Sequence, residues 1–195
     1  MKFLHLADLH LGKRVNEFSM LEEQSHILDQ VLRILEEERP DGLLLAGDIY
    51  DKPAPSAEAV ALFDSFLSRL AEKKIETFLV SGNHDSPERL AYAADLIVRS
   101  GIHVSPVYHG EIRPILLRKG EEKAAVFLLP FLKQATARRF FPDAEIGNET
   151  DAVRAALAVL PATPGYRRIL VAHQAVLGAT PSDSEEITVG GEGGV

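Results

Sequence analysis

Apolar positions along the chain follow two rhythms. Leu21, Ile27, Leu28, Val31, Leu32 and Leu35 recur at helical spacing, and Pro40 closes the helix they predict. Ser56 caps a second predicted helix with an inward stripe of Val60, Phe63, Phe66, Leu67 and Leu70. Ser86 followed by Pro87 opens a third, through about Val98, and a fourth runs from Thr150 to Leu160. Between them lie short continuous apolar runs, which predict strands near 2–7, 42–46, 76–81, 111–117, 124–130 and 168–173. Early strand–helix–strand alternation calls for a largely parallel sheet covered on both faces, an α/β fold. The 111–130 region reads as an antiparallel hairpin turning at Lys119 and Gly120.

Polar residues at the ends of these runs carry the chemistry. FLHLA precedes Asp8, LLLA precedes Gly47, TFLVS precedes Gly82, and ILVA ends at His173. In an open α/β sheet, ligands collect at the carboxyl ends of the strands. Four such ends loaded with metal-binding residue types therefore predict one two-metal phosphoesterase site. Asp8 and His10 are two apart, so on an extended segment both leave the same face. Asp48 has two oxygens and can bridge two ions, with Gly47 leaving room for crowded loops. Asn83 and His173 supply neutral donors for the second ion, and an oxygen and nitrogen set without sulfur suits manganese, iron or zinc. His84 stands beside Asn83, placed to act as general acid to the leaving oxygen or to steady the phosphorane charge, with Asp85 orienting its ring or supporting the metals from behind. His5, His26, His103 and His109 lack such context and read as core or surface residues.

Composition narrows the partners. A net charge of −8 opposes nonspecific attraction to phosphate backbones, so a nucleic-acid substrate needs local basic residues, bound metals or a partner subunit. Lys13, Arg14, Lys52 and Arg89 lie beside the motifs and are the candidate substrate contacts; Arg138-Arg139 and Arg167-Arg168 are weaker ones. Cysteine is absent, which excludes disulfides and thiolate zinc sites. No apolar run approaches the roughly 20 residues of a membrane helix. Asp8 and His10 interrupt the opening stretch, which reads as a strand rather than a signal peptide, so the expected location is cytoplasmic.

The order D-x-H, GD-xx-D, GNHD and a later strand-ending histidine resembles the calcineurin-like metallophosphoesterase superfamily. Within it, FLHLADLHLGK, LLLAGDIYDKPAPS, VSGNHDSPERL and LVAHQAVLGA…SDSEEITVGG are similar to the SbcD-type DNA nucleases. The resemblance implies a four-layer β-sandwich flanked by helices and two manganese ions. Asp8, His10 and Asp48 would hold one ion, Asp48, Asn83 and His173 the other, with His84 as the catalytic histidine. It implies 3′–5′ exonuclease activity on double-stranded DNA, endonuclease activity on single strands and hairpins, a homodimer, and an SbcC-type ATPase partner. The family continues to a G-H-x-H strand that adds one ligand per metal, then to capping and partner-binding regions. Residues 1–195 are accordingly expected to be an incomplete amino-terminal nuclease domain, with three of four ligands per ion. Two other expectations are a small phosphodiesterase or phosphatase of the same superfamily, and a noncatalytic scaffold.

Overall fold

The computed structural model describes residues 1–175. Its elements are β1 (Phe3–Leu6), β2 (Arg14–Val15), β3 (Phe18–Ser19), α1 (Leu21–Glu38), β4 (Gly42–Ala46), α2 (Ala57–Glu72) and β5 (Thr77–Val80). Then follow α3 (Pro87–Leu90), α4 (Ala94–Ile97) with a 3₁₀ turn to Ser100, β6 (Ile102–Val104), β7 (Ile115–Lys119) and β8 (Glu122–Leu129). The described chain ends with α5 (Gln134–Phe140), α6 (Glu149–Ala158) and β9 (Arg167–Ala172).

Two sheets form. One is all parallel in the order β1-β4-β5-β6; the other has the order β7-β8-β9, with β7 antiparallel and β9 parallel to β8. The runs GLLLA and TFLV can be apolar throughout because both faces of their sheet are covered. On the outer face, Leu28, Leu32 and Leu35 of α1 and Phe63, Phe66 and Leu70 of α2 pack on Leu43 and Leu45. Between the sheets, Ala46, Phe78 and Val80 meet Val126, Leu128 and Val171. Beyond the second sheet, Phe127 and Leu129 pack against Ala137, Ala152 and Ala156 of α5 and α6. The layers run helix, sheet, sheet, helix, which is the expected four-layer architecture.

The helix ends follow from local chemistry. The Ser56 Oγ accepts the Ala59 amide at the start of α2, and the Asn148 Oδ1 accepts the Asp151 amide at the start of α6. Arg39 turns left-handed (φ 45°) after α1, its amide returning to the Leu35 carbonyl, and Pro40 follows.

Several expectations need correction. The single helix over 87–98 is two short ones, because Ala93 adopts a left-handed conformation (φ 60°) that breaks the hydrogen-bond ladder. Val60 and Ile27 point outward, 44% and 53% exposed, while Ala59 takes the inward place on α2. The strand placed at 111–117 lies at 115–119, although its hairpin does turn at Gly120. The β2–β3 hairpin, β6 and α5 are all shorter than a periodic pattern can reveal. The sequence beyond Gln174 and Ala175 that reads as a loop lies outside the described residues.

Candidate metal centre

Three loops at the carboxyl end of the parallel sheet converge through their backbones. The amides of Asp8, His10 and Leu11 donate to the carbonyls of Gly47, Asp48 and Ile49 at 3.1, 2.9 and 2.9 Å. The His84 amide donates to Asp48 Oδ1 at 2.9 Å, joining the GNHD loop to the same carboxylate. A side chain at Gly82 would put its Cβ 2.0 Å from that oxygen, and one at Gly47 would meet the His173 ring at 2.5 Å. Both glycines are needed because backbone and ligand side chains approach too closely for a methyl group. Asp8, His10 and Asp48 themselves sit at φ 57°, 43° and 49°. Left-handed backbone at non-glycine residues costs of order 1–3 kcal/mol each and persists only where surrounding bonds enforce it.

Asp85 is one of those enforcers. It is 7% exposed, and its carboxylate accepts the amides of Gly82 (2.8 Å), Ile49 (3.1 Å) and Tyr50 (2.9 Å). It thereby ties the GDIYD and GNHD loops together. Burial pushes its carboxyl above the usual range, and the Asp48 charge adds to this against the three amide bonds. The expected contact between Asp85 and the His84 ring is not what forms. His84 Nδ1 lies 3.0 Å from the Asp51 carbonyl instead.

Around Asp48, which is 3% exposed, stand three imidazoles. Its Oδ2 lies 3.4 Å from His173 Nε2, 3.7 Å from His10 Nε2 and 4.0 Å from His84 Nε2. His10 Nε2 also lies 3.8 Å from Asp8, and His173 Nε2 3.1 Å from Asn83 Oδ1. His173 Nδ1 is 2.8 Å from the Ala46 carbonyl. A carbonyl can only accept, so Nδ1 carries the proton in both His173 and His84. In the neutral His84 ring Nε2 is then the free lone pair. His173 Nε2 instead faces two acceptors, Asn83 Oδ1 and Asp48 Oδ2, and would offer its lone pair to a cation that takes the place of the proton held there. Burial works against the charged forms of both Asp48 and His173. Their contact outweighs it only together with the His84 amide on Asp48 and the Ala46 carbonyl and Asp8 charge at His173. The sum holds the Asp48 carboxyl below its ordinary value and the His173 ring above its own.

These residues fit divalent cations. Donors sharing an ion at about 2.1 Å lie about 3–4 Å apart, which matches the Nε2 to Oδ2 separations. Asp8, Asp48 and His173 form one convergent set, and His10, Asp48 and His84 another, with Asp48 common to both. His84 is the most open of the three imidazoles, its side chain 46% exposed against 20% for His10 and 17% for His173. No lysine or arginine pairs with Asp8, Asp48, Asp51 or Asp85 among the described residues.

The basic candidates lie outside this cluster. Lys13, Arg14, Lys52 and Arg89 are all exposed, and the Arg14 guanidinium donates to the Glu17 carbonyl within the β2–β3 hairpin. Arg138 is structural, since its guanidinium donates to the Ile146 carbonyl at 2.6 and 2.9 Å. Phe131, which sequence reasoning missed, brings its ring to 6.5 Å from that of His173, while its amide donates to the Ser81 carbonyl. Its only signal is its place one residue beyond a strand-ending Pro130.

Comparison with known proteins agrees with this geometry. The family model for calcineurin-like phosphoesterases matches residues 1–176. The chain is 34% identical over 194 residues to SbcD of the nuclease SbcCD from Staphylococcus epidermidis (strain ATCC 12228 / FDA PCI 1200). That match covers 97% of the chain and 51% of the relative, so the chain spans about half the relative's length. A solved phosphoesterase from E. coli, Yfce, aligns at 20% identity with a TM-score of 0.33, covering 69% of this chain and 65% of its own. With its motif loops converged on Asp48 and the family pattern spanning residues 1–176, this chain belongs to the calcineurin-like phosphoesterase family.

Proposed function

We propose that the chain carries the two-metal phosphodiesterase site of an SbcD-type DNA nuclease. The observation that carries this reading is the buried Asp48 carboxylate, ringed by three imidazoles, two of them (His84 and His173) held through Nδ1 by backbone carbonyls, and matched by no internal lysine or arginine among the described residues. By the family resemblance Asp8, His10 and Asp48 would hold one ion, and Asp48, Asn83 and His173 the other, with manganese the ion in use. The convergent donor sets among the described residues instead group Asp8 with His173 and His10 with His84, Asp48 being common to both. Bound divalent cations supply Lewis acidity there, acidifying water and offsetting the charge of a phosphodiester.

The chain's own groups do the rest. His84 is the open imidazole, and its Nδ1 proton is held by the Asp51 carbonyl. With Nδ1–H kept on that carbonyl, Nε2 is the atom that gives a proton to the leaving oxygen from the imidazolium form, in which both ring nitrogens carry one. The ring is left as the neutral Nδ1–H tautomer. Asp85 acts by positioning, through the loops it ties. Exposed Lys13, Arg14, Lys52 and Arg89 receive the DNA backbone, supplying locally the positive charge that the net −8 denies overall.

The chain's similarity to a component of the SbcCD nuclease supports a wider reading: 3′–5′ exonuclease activity on double-stranded DNA and endonuclease activity on single strands and hairpins. In that reading it works beside an SbcC-type ATPase in DNA repair, recombination and replication. A homodimer would use the 87–98 segment, where Tyr92 and Leu96 are 83% and 69% exposed. No described helix is long and apolar enough to cross a membrane, which is compatible with a cytoplasmic location.

Manganese-dependent degradation of end-labelled duplex DNA, beside an Asp48→Ala control, tests the proposal. Digestion that vanishes in the control is expected. Turnover of a cyclic nucleotide with DNA left intact would instead favour a small phosphodiesterase. Loss of both activities, with no thermal shift on adding manganese, would favour a scaffold.

A further inference from the structure

Gln24 breaks the pattern of α1. It lies three residues after Leu21 and four before Leu28, on the stripe that Leu28, Val31, Leu32 and Leu35 bury against the sheet. An amide on an inward face must find hydrogen-bond partners or lose the hydration it had in the unfolded chain. Gln24 finds three, all on the backbone of the loop that carries His10. Its Nε2 donates to the Leu9 carbonyl at 3.1 Å and the His10 carbonyl at 2.8 Å, and its Oε1 accepts the Gly12 amide at 2.9 Å.

That loop is the most strained segment of the site. Asp8, His10 and Gly12 are all left-handed, at φ 57°, 43° and 87°. On one side it is held by the bonds to Gly47, Asp48 and Ile49 and by the Asp51 amide donating to the Leu11 carbonyl at 3.2 Å. Gln24 is the side chain that holds it from the helix side. Only an amide can do this with one group, because the loop offers two carbonyls and one N–H. A carboxylate lacks the donors and a lysine lacks the acceptor.

We infer that Gln24 is a positioning residue, clamping the His10 loop in the left-handed conformation that aims the imidazole at Asp48. The inference rests on the metal-centre reading above. His10 belongs to one donor set and His173 to the other, so the clamp acts on one ion of the two. Removing an outer partner of a metal ligand commonly lowers affinity about 10–100-fold.

The test uses the 195-residue chain and two variants. Gln24→Met keeps length and helix propensity and removes all three bonds. Gln24→Glu keeps the acceptor for Gly12 and loses both donors. Manganese titration by calorimetry is expected to show one of two binding steps weakened about 10–100-fold in each variant, with the other step within about threefold. Hydrogen exchange at the Gly12 amide of the metal-free protein is the second readout, with protection expected in wild type and lost in Gln24→Met. Unchanged affinities with unchanged protection would overturn the clamp. So would equal weakening of both steps alongside a lowered metal-free Tm, which marks a general loss of stability. A wild-type chain that protects Gly12 but takes up no manganese would refute the metal reading while supporting the clamp on the loop.

Discussion

The two ends of the paired sheets handle negative charge in opposite ways. At the amino end three acids have cations from the chain itself: Asp41 with Lys119 at 2.5 Å, Glu122 with the chain's amino terminus at 2.5 Å, and Glu38 with Lys2. At the carboxyl end Asp8, Asp48, Asp51 and Asp85 crowd together with imidazoles and amides and without a lysine or arginine among the described residues. At the amino end these three acids are neutralised from within the chain. The carboxyl end keeps a negative centre, paired with no lysine or arginine among the described residues, around a buried Asp48 and on strained backbone. The proposed metals would supply at this end the positive charge that the chain supplies itself at the other.

The sharpest way to break this contrast is Asp48→Ala, which removes the carboxylate shared by both donor sets. Manganese affinity is expected to fall at least about 100-fold, beyond the usual cost of losing an outer partner of a ligand. Equilibrium dialysis reads it directly. Next comes Gly82→Ala, where the new methyl would sit 2.0 Å from Asp48 Oδ1 and 2.4 Å from its amide nitrogen. Overpacking of this kind costs about 1–3 kcal/mol and sometimes more, and a lowered Tm together with weakened manganese binding is expected. A purely local glycine role would leave binding intact.

Asp85→Asn is the third. It keeps one acceptor oxygen but turns an NH₂ toward an amide that now has a carboxylate oxygen. A buried donor left unsatisfied costs about 1–3 kcal/mol, and urea denaturation of the metal-free protein measures it. The smallest effect belongs to the amino end. Lys119 holds the Asp41 carboxyl below its ordinary value, helped by the Lys2 amide. A depressed carboxyl contributes stability that is present above its unfolded value and lost as pH falls through its folded one. Asp41→Asn should therefore cost no more than about 1 kcal/mol at neutral pH, and the difference from wild type should vanish in acid. Denaturation midpoints across the pH range check this.

The same contrast explains what was legible in the sequence. Long apolar runs such as GLLLA and TFLV announce buried strands, and ligands directly after them announce a site, because burial on both faces leaves only strand ends for polar chemistry. Asp8, His10, Asp48, Asn83, His84 and His173 do converge. Residues acting through the backbone are harder to read. The sequence leaves Asp85 either at the His84 ring or behind the metals, and its carboxylate in fact faces three amides that no side-chain pattern encodes. Gln24 leaves a faint signal, a polar residue on an apolar stripe, which gains meaning only when the loop beneath it is seen. Ala93 shows the limit for local structure, since nothing in Tyr92-Ala93-Ala94 announces a left-handed break.

One measurement tests most directly whether the carboxyl end was built for external cations. It is the number of manganese ions bound per chain, determined by equilibrium dialysis with elemental analysis on wild type and Asp48→Ala. Two ions per wild-type chain and a marked loss in the variant are expected. A wild-type chain that binds none at millimolar manganese would contradict the reading of Asp48 as a bridge between two metals.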